Sequence, residues 1–159
     1  MSHCIIAYLG EGDRFWPVIE RATSIAMRRH SRLIFYDTDA ASRLGANPLP
    51  TFWSADGLRE QFGDRLGPAE LERAGCEELR DRVQRARHDG IDAYGWLPSK
   101  RGAKDLAEYA TAQGADLLVV PADLEPHGLA EWFKGLPSAR EVAGETHLPL
   151  VVVELKQAV

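Results

Sequence analysis

Three stretches of the 159-residue chain hold residue types that could do chemistry. Gly10-Glu-Gly-Asp13 follows one apolar run and precedes an amphipathic one, which is where phosphate loops occur, because glycine lets backbone N–H groups approach an anion. The stretch lacks G-x-G-x-x-G, since the third position after Gly12 is Phe15. A tight turn is the better reading, with Asp13 a polar group at the mouth of a crevice. Asp37-Thr-Asp39 ends a second apolar run. Paired carboxylates there suit a ribose or a metal, but such residues more often hydrogen-bond their own backbone in a turn, and the turn is favoured. Lys100, Arg101 and Lys104 open a helix, where basic charge opposes the helix dipole. Their readings are an anion or, preferred, pairing with Asp105, Glu108 or a long loop.

The remaining reactive types form no motif. His3, His30, His88, His127 and His147 show neither H-x3-H nor HExxH spacing. Cys4 lies in an apolar run and Cys76 on an expected helix, and neither belongs to a CxxC or Cys/His cluster. Buried thiols in a reducing compartment are expected. Ser138 has no G-x-S-x-G setting, so no hydrolase elbow is supported.

The elements that position these residues follow from hydrophobic patterning. Asp116-Leu-Leu-Val-Val-Pro-Ala122 carries an unbroken apolar run, as a strand buried on both faces does. Upstream, residues 99 to 113 read as a helix capped by Ser99, with Ala103, Leu106, Ala107 and Ala110 on its core stripe and Gly114 at its end. The same alternation occupies the whole chain. His3–Leu9 is the first strand, Phe15–Arg29 a helix with Pro17 in its first turn, and Arg32–Asp37 the second strand. Residues 38 to 67 form a long connection with Phe52 and Trp53, either a lid or a surface excursion. Pro68–Asp89 reads as one helix with Cys76, Leu79, Val83 and Ala86 on a stripe. Ile91–Leu97 is the third strand. A short helical segment near Pro126–Phe133, a helix from Ser138 to about Thr146 and a strand over Leu148–Leu155 complete the order. The expectation is a single α/β domain over 1–159, an open five-stranded parallel sheet sandwiched by helices.

Composition narrows the function classes. Nineteen basic residues against 24 acidic ones give a formal charge of −5, which offers nothing to nucleic acid or an anionic membrane. The first apolar run is too short for a signal peptide, and no stretch reaches transmembrane length. A cytoplasmic protein is expected.

The layout resembles the universal stress proteins. Ile5-Ile-Ala-Tyr-Leu-Gly10, Leu33-Ile-Phe-Tyr-Asp-Thr38, the run from Asp105 to Val120 and Leu148-Pro-Leu-Val-Val-Val153 carry the likeness, which spans nearly the whole chain. The resemblance implies a Rossmann-like sheet with strand order 3-2-1-4-5, related to adenine-nucleotide-binding α/β domains. ATP-binding members of that family place an aspartate after the first strand and follow the fourth with G-x2-G-x9-G-[ST]. Here the aspartate position is Leu9, and Pro121 and Ala122 stand at the first loop glycine. Pro121 has no N–H to donate. Asp123 and Glu125 put negative charge where phosphate would lie, and Gly128 and Gly135 are not at the required spacing. Only Ser138 is near the Gly-Ser position.

The resulting expectation is a non-catalytic regulatory or interaction module of stress response that does not bind ATP in the family manner and needs no cofactor. The alternative is an ATP- or AMP-binding protein, or a nucleotide-dependent enzyme with a remodelled phosphate site. A ligand would sit at the carboxyl ends of the strands, beside Gly10, Asp13, Tyr36, Asp37, Val120 and Ser138, under the Phe52-Trp53 loop. The resemblance also implies a homodimer through the last strand, and the apolar run Leu150, Val151, Val152 and Val153 on an edge strand independently calls for cover. Besides a second copy, an unidentified protein partner remains open.

Overall fold

The computed structural model describes residues 3–10, 12–38, 65–98, 103–121 and 148–155. The elements, in chain order, are β1 (Cys4–Leu9), a 3-10 turn (Asp13–Phe15), α1 (Trp16–Arg29), β2 (Arg32–Asp37), α2 (Pro68–Arg73), α3 (Glu77–His88), β3 (Ala93–Trp96), α4 (Ala103–Gln113), β4 (Leu117–Pro121) and β5 (Leu150–Val153). The five strands form one sheet in the order β3-β2-β1-β4-β5, the expected order. All four pairings are parallel.

This order dictates which helices share a face. The crossovers from β1 to β2 and from β2 to β3 step in the same direction, so with right-handed connections α1 and α3 lie on the same side. The step from β3 to β4 runs the other way and puts α4 on the opposite side. Side chains alternate along each strand, so Leu33, Phe35 and Asp37 face α1 and α3, while Ile34 and Tyr36 face α4. Central β1 is buried along all six residues, which is why its sequence shows no alternation. Each of its fully buried Ile and Leu side chains contributes roughly 1.5–3 kcal/mol of transfer free energy.

Two differences from the sequence reading have clear causes. The single helix expected over Pro68–Asp89 is two helices. Gly75 takes φ +80 between them, a conformation open to glycine and costly for other residues. Cys76 is therefore the N-cap of α3 rather than part of its stripe, while Leu79, Val83 and Ala86 are buried as expected. The other difference is at the helix start: Phe15 belongs to the 3-10 turn, and α1 begins at Trp16 with Pro17 in its first turn. Strand ends shift by up to two residues: the third runs Ala93–Trp96, the fourth Leu117–Pro121 and the last Leu150–Val153. Gly114 ends α4 at φ +68, as its place after the helix requires.

The end of the long connection has a structural task. Leu66 pairs with Gly95 in an antiparallel bridge along the outer edge of β3 and is fully buried. Gly95 allows the helices close in: a Cβ there would lie 3.0 Å from both Leu71 Cδ1 and Leu79 Cδ2.

Candidate functional site

The loop after β1 is held by helix α3. Leu79, Val83 and Ala86 turn one stripe of that helix to the sheet. Glu78 and Arg82, four residues apart, share the neighbouring stripe and pair at 3.1 Å. From there Arg82 donates to two loop carbonyls, Nη1 to Gly10 O at 3.0 Å and Nη2 to Gly12 O at 2.9 Å. Its Nη1 also lies 3.8 Å from Asp37 Oδ2. Asp37 is wholly buried and the Arg82 side chain is only 9% exposed, so this is an interior ion pair. Gly12, at φ +101, turns its N–H to Glu78 Oε1 at 3.1 Å. The Gly12 amide is thus already satisfied by the protein's own carboxylate.

The adjoining strand end is closed as well. The carbonyl of Leu9 accepts hydrogen bonds from the Thr38 backbone at 3.0 Å and from Thr38 Oγ1 at 3.2 Å. Leu9 itself is fully buried. On the α4 side, Tyr8, Tyr36, Trp96 and Tyr109 are packed together. Tyr8 stacks on Tyr36 at 5.7 Å, and Tyr109 lies 5.7 Å from Tyr36 and 5.2 Å from Trp96. All four are at most 5% exposed.

Outside the loop, α1 and α3 enclose a groove of about 350 Å3. Asp13, Trp16, Glu20, Asp81, Arg85 and Asp89 are among its walls. Trp16 is 40% exposed, donates to Glu20 at 2.7 Å and carries the Arg85 guanidinium 5.5 Å above its ring.

The sheet divides the expected site residues. Gly10 and Asp37 meet through Arg82. Asp13 opens the 3-10 turn on the same face and points to the helix groove rather than the strand crevice. Tyr36 lies on the opposite face, in the aromatic cluster. Val120 is buried on β4, on the same face as Tyr36 by register. Neighbouring strand residues necessarily part in this way. Asp37 is buried beside Arg82, which gives its carboxylate a charged partner. Ser138, Asp39, Lys100, Arg101, Asp123, Glu125, Gly128, Gly135, Ser99, His127, His147, the Phe52-Trp53 loop, the segment near 126–133 and the helix expected at 138–146 lie outside the described residues. Sequence reasoning missed Glu78 and Arg82. Their signal was Glu-x3-Arg flanking an apolar stripe, common on solvated helices and therefore uninformative without the fold.

Neither cysteine is in a disulfide, and both are buried. Burial pushes the Cys4 thiol up to about 11, against the smaller opposing effect of Arg32. Among the described residues, no group of three or more His, Cys, Asp or Glu side chains is arranged to hold a metal, and no helix is long and apolar enough to cross a membrane.

No protein-family model and no curated protein matches the chain. Solved structures do match. A universal stress protein in complex with cAMP superposes with a TM-score of 0.59 at 21% identity, over 97% of this chain and 98% of that one. The universal stress protein UspA from Lactobacillus plantarum gives 0.58 at 19%, over 95% and 97%. The universal stress protein from Archaeoglobus fulgidus in complex with dAMP gives 0.55 at 14%, over 96% and 98%. The fold is therefore that of the universal stress proteins, a Rossmann-like α/β sandwich.

Proposed function

We propose that this chain is a non-catalytic regulatory or interaction module of the universal-stress type, acting in stress response and not binding ATP as the family's nucleotide-binding members do. The observation that carries this reading is the tied loop after β1. Glu78 takes the Gly12 amide, and Arg82 takes the Gly10 and Gly12 carbonyls. A phosphate would have to displace the Glu78 carboxylate to use the Gly12 amide. Leu9 brings no polar side chain to an adenosine, and Pro121, the last residue of β4, brings no N–H.

The module is cytoplasmic and homodimeric in this reading. The sheet order leaves β5 at one end with β4 beside it and no other described strand beyond, and Val152 on it is 52% exposed. An exposed apolar edge strand of this kind favours pairing with a second copy.

A second reading, an adenine-nucleotide binder with a remodelled phosphate site, is favoured by the cAMP and dAMP held by two of the matching structures. In it AMP, with a single phosphate, would be the better ligand. Thermal melting with AMP, cAMP and ATP separates the two. No shift with any of them is expected. A rise in Tm that saturates at micromolar nucleotide would replace the first reading with the second.

A further inference from the structure

We propose that Arg32, Arg65 and Arg87, gathered around Tyr94, form a binding site for a dianionic phosphate group. The three come from separate elements. Arg32 opens β2, Arg87 lies near the end of α3, and Arg65 precedes the bridge that Leu66 makes to Gly95. Two backbone hydrogen bonds fix that bridge, Leu66 N–H to Gly95 O at 3.0 Å and Gly95 N–H to Leu66 O at 2.8 Å. Arg87 reaches the sheet edge by donating its Nε to Ala93 O at 2.7 Å. The guanidinium carbons of Arg32, Arg65 and Arg87 stand 6.0, 5.1 and 4.8 Å from the Tyr94 ring centre.

This concentration of positive charge is not balanced locally. Arg32 pairs with Asp92 at 3.2 Å. Among the described residues, neither Arg65 nor Arg87 forms an ion pair, and Glu70, close to Arg87 beside Gly67, is not within pairing distance. Arg65 Nη1 is buried with no hydrogen-bond acceptor. Buried donors are nearly always satisfied, and a guanidinium donor left without an acceptor needs explanation. In a chain of net charge −5, three arginines gathered at one ring, with Asp92 the one carboxylate within pairing distance among the described residues, are explained by an anion that belongs there.

The chemistry favours phosphate. Guanidinium forks match pairs of phosphate oxygens, and a guanidinium stacked on an aromatic ring retains in-plane N–H donors for a further acceptor. Arg87 is exposed and Arg32 and Arg65 half-buried, so an anion can reach them from solvent. The site lies at the amino ends of β2 and β3, away from the crevice at their carboxyl ends, and is independent of the reading of that crevice.

Calorimetry on the full chain with inorganic phosphate and, separately, glycerol phosphate tests the site. Saturable binding in the millimolar range or tighter is expected, weakened at least tenfold in Arg65→Gln and in Arg32→Gln. Circular dichroism establishes that each variant is folded, and Arg87→Gln, at an exposed position, serves if either is not. Tighter binding of glycerol phosphate supports the site and assigns it to a phosphomonoester, whereas tighter binding of inorganic phosphate supports it and assigns it to the free ion. No binding of either ligand, or undiminished binding by folded variants, overturns the proposal.

Discussion

Arg82 joins the β1–α1 loop, the end of β2 and helix α3. Its guanidinium faces two carbonyls and two carboxylates, one of them fully buried. Removing one partner of a buried ion pair strands the other charge, a loss of about 3–5 kcal/mol in general. Arg82→Ala should therefore destabilise the protein by about 3 kcal/mol in urea unfolding. The double variant Arg82→Ala/Asp37→Asn should recover part of that loss, because the stranded charge is gone. A single variant as stable as the parent would show that the pair carries no weight. Cys4 supplies a second test at this scale. Below pH 9 its thiol is protonated in both folded and unfolded chains. Between the ordinary value of 9.0 and the folded value of about 11, the unfolded chain releases the proton and the folded one keeps it. Stability should fall across that window by up to roughly 2–3 kcal/mol, a loss absent from Cys4→Ala. Equal alkaline slopes for parent and variant would contradict the assignment.

At the scale of elements, Gly95 sets how closely α2 and α3 approach the sheet. Its missing Cβ is the space into which Leu71 and Leu79 pack. Gly95→Ala should cost roughly 1–3 kcal/mol by overpacking, measured as a lower Tm, whereas a neutral change would mean the helices can retreat freely. This glycine also illustrates what the sequence made legible. That Gly95 lies in a strand was readable from the run Ile91–Leu97, but that the glycine serves close helix packing depends on which helix covers it. The break at Gly75 was missed for a related reason. The apolar stripe from Cys76 to Ala86 begins directly after the turn, and one glycine ahead of a helical pattern does not announce its sign of φ. Gly114, directly after a stripe and before a buried strand, was unambiguous.

For the whole molecule, a parallel α/β sheet was readable because five apolar runs alternate with helical ones, while the strand order came from the family resemblance, since right-handed crossovers alone allow several orders. The candidate site was less legible. Tyr36 and Asp37 are adjacent in sequence, yet the sheet separates them. The residues that close the first loop, Glu78 and Arg82, come from a helix more than sixty positions away. Long-range contacts of this kind have no local signature. Assembly is a further question at this scale. With Val152 exposed on the outermost strand, Val152→Lys should convert a dimer to a monomer in light scattering at micromolar concentration. An unchanged mass for a folded dimeric variant would move the interface elsewhere. In the proposed reading the crevice does not take ATP in the family manner, because Leu9 brings no polar side chain, Pro121 no N–H, and the Gly12 amide is held by Glu78. Isothermal titration of the protein with ATP and Mg2+, carried to millimolar nucleotide, tests this most directly. The account predicts no binding heat. Micromolar, saturable binding would contradict it, because the phosphates would then have found donors while the Glu78–Arg82 lock opened or was bypassed.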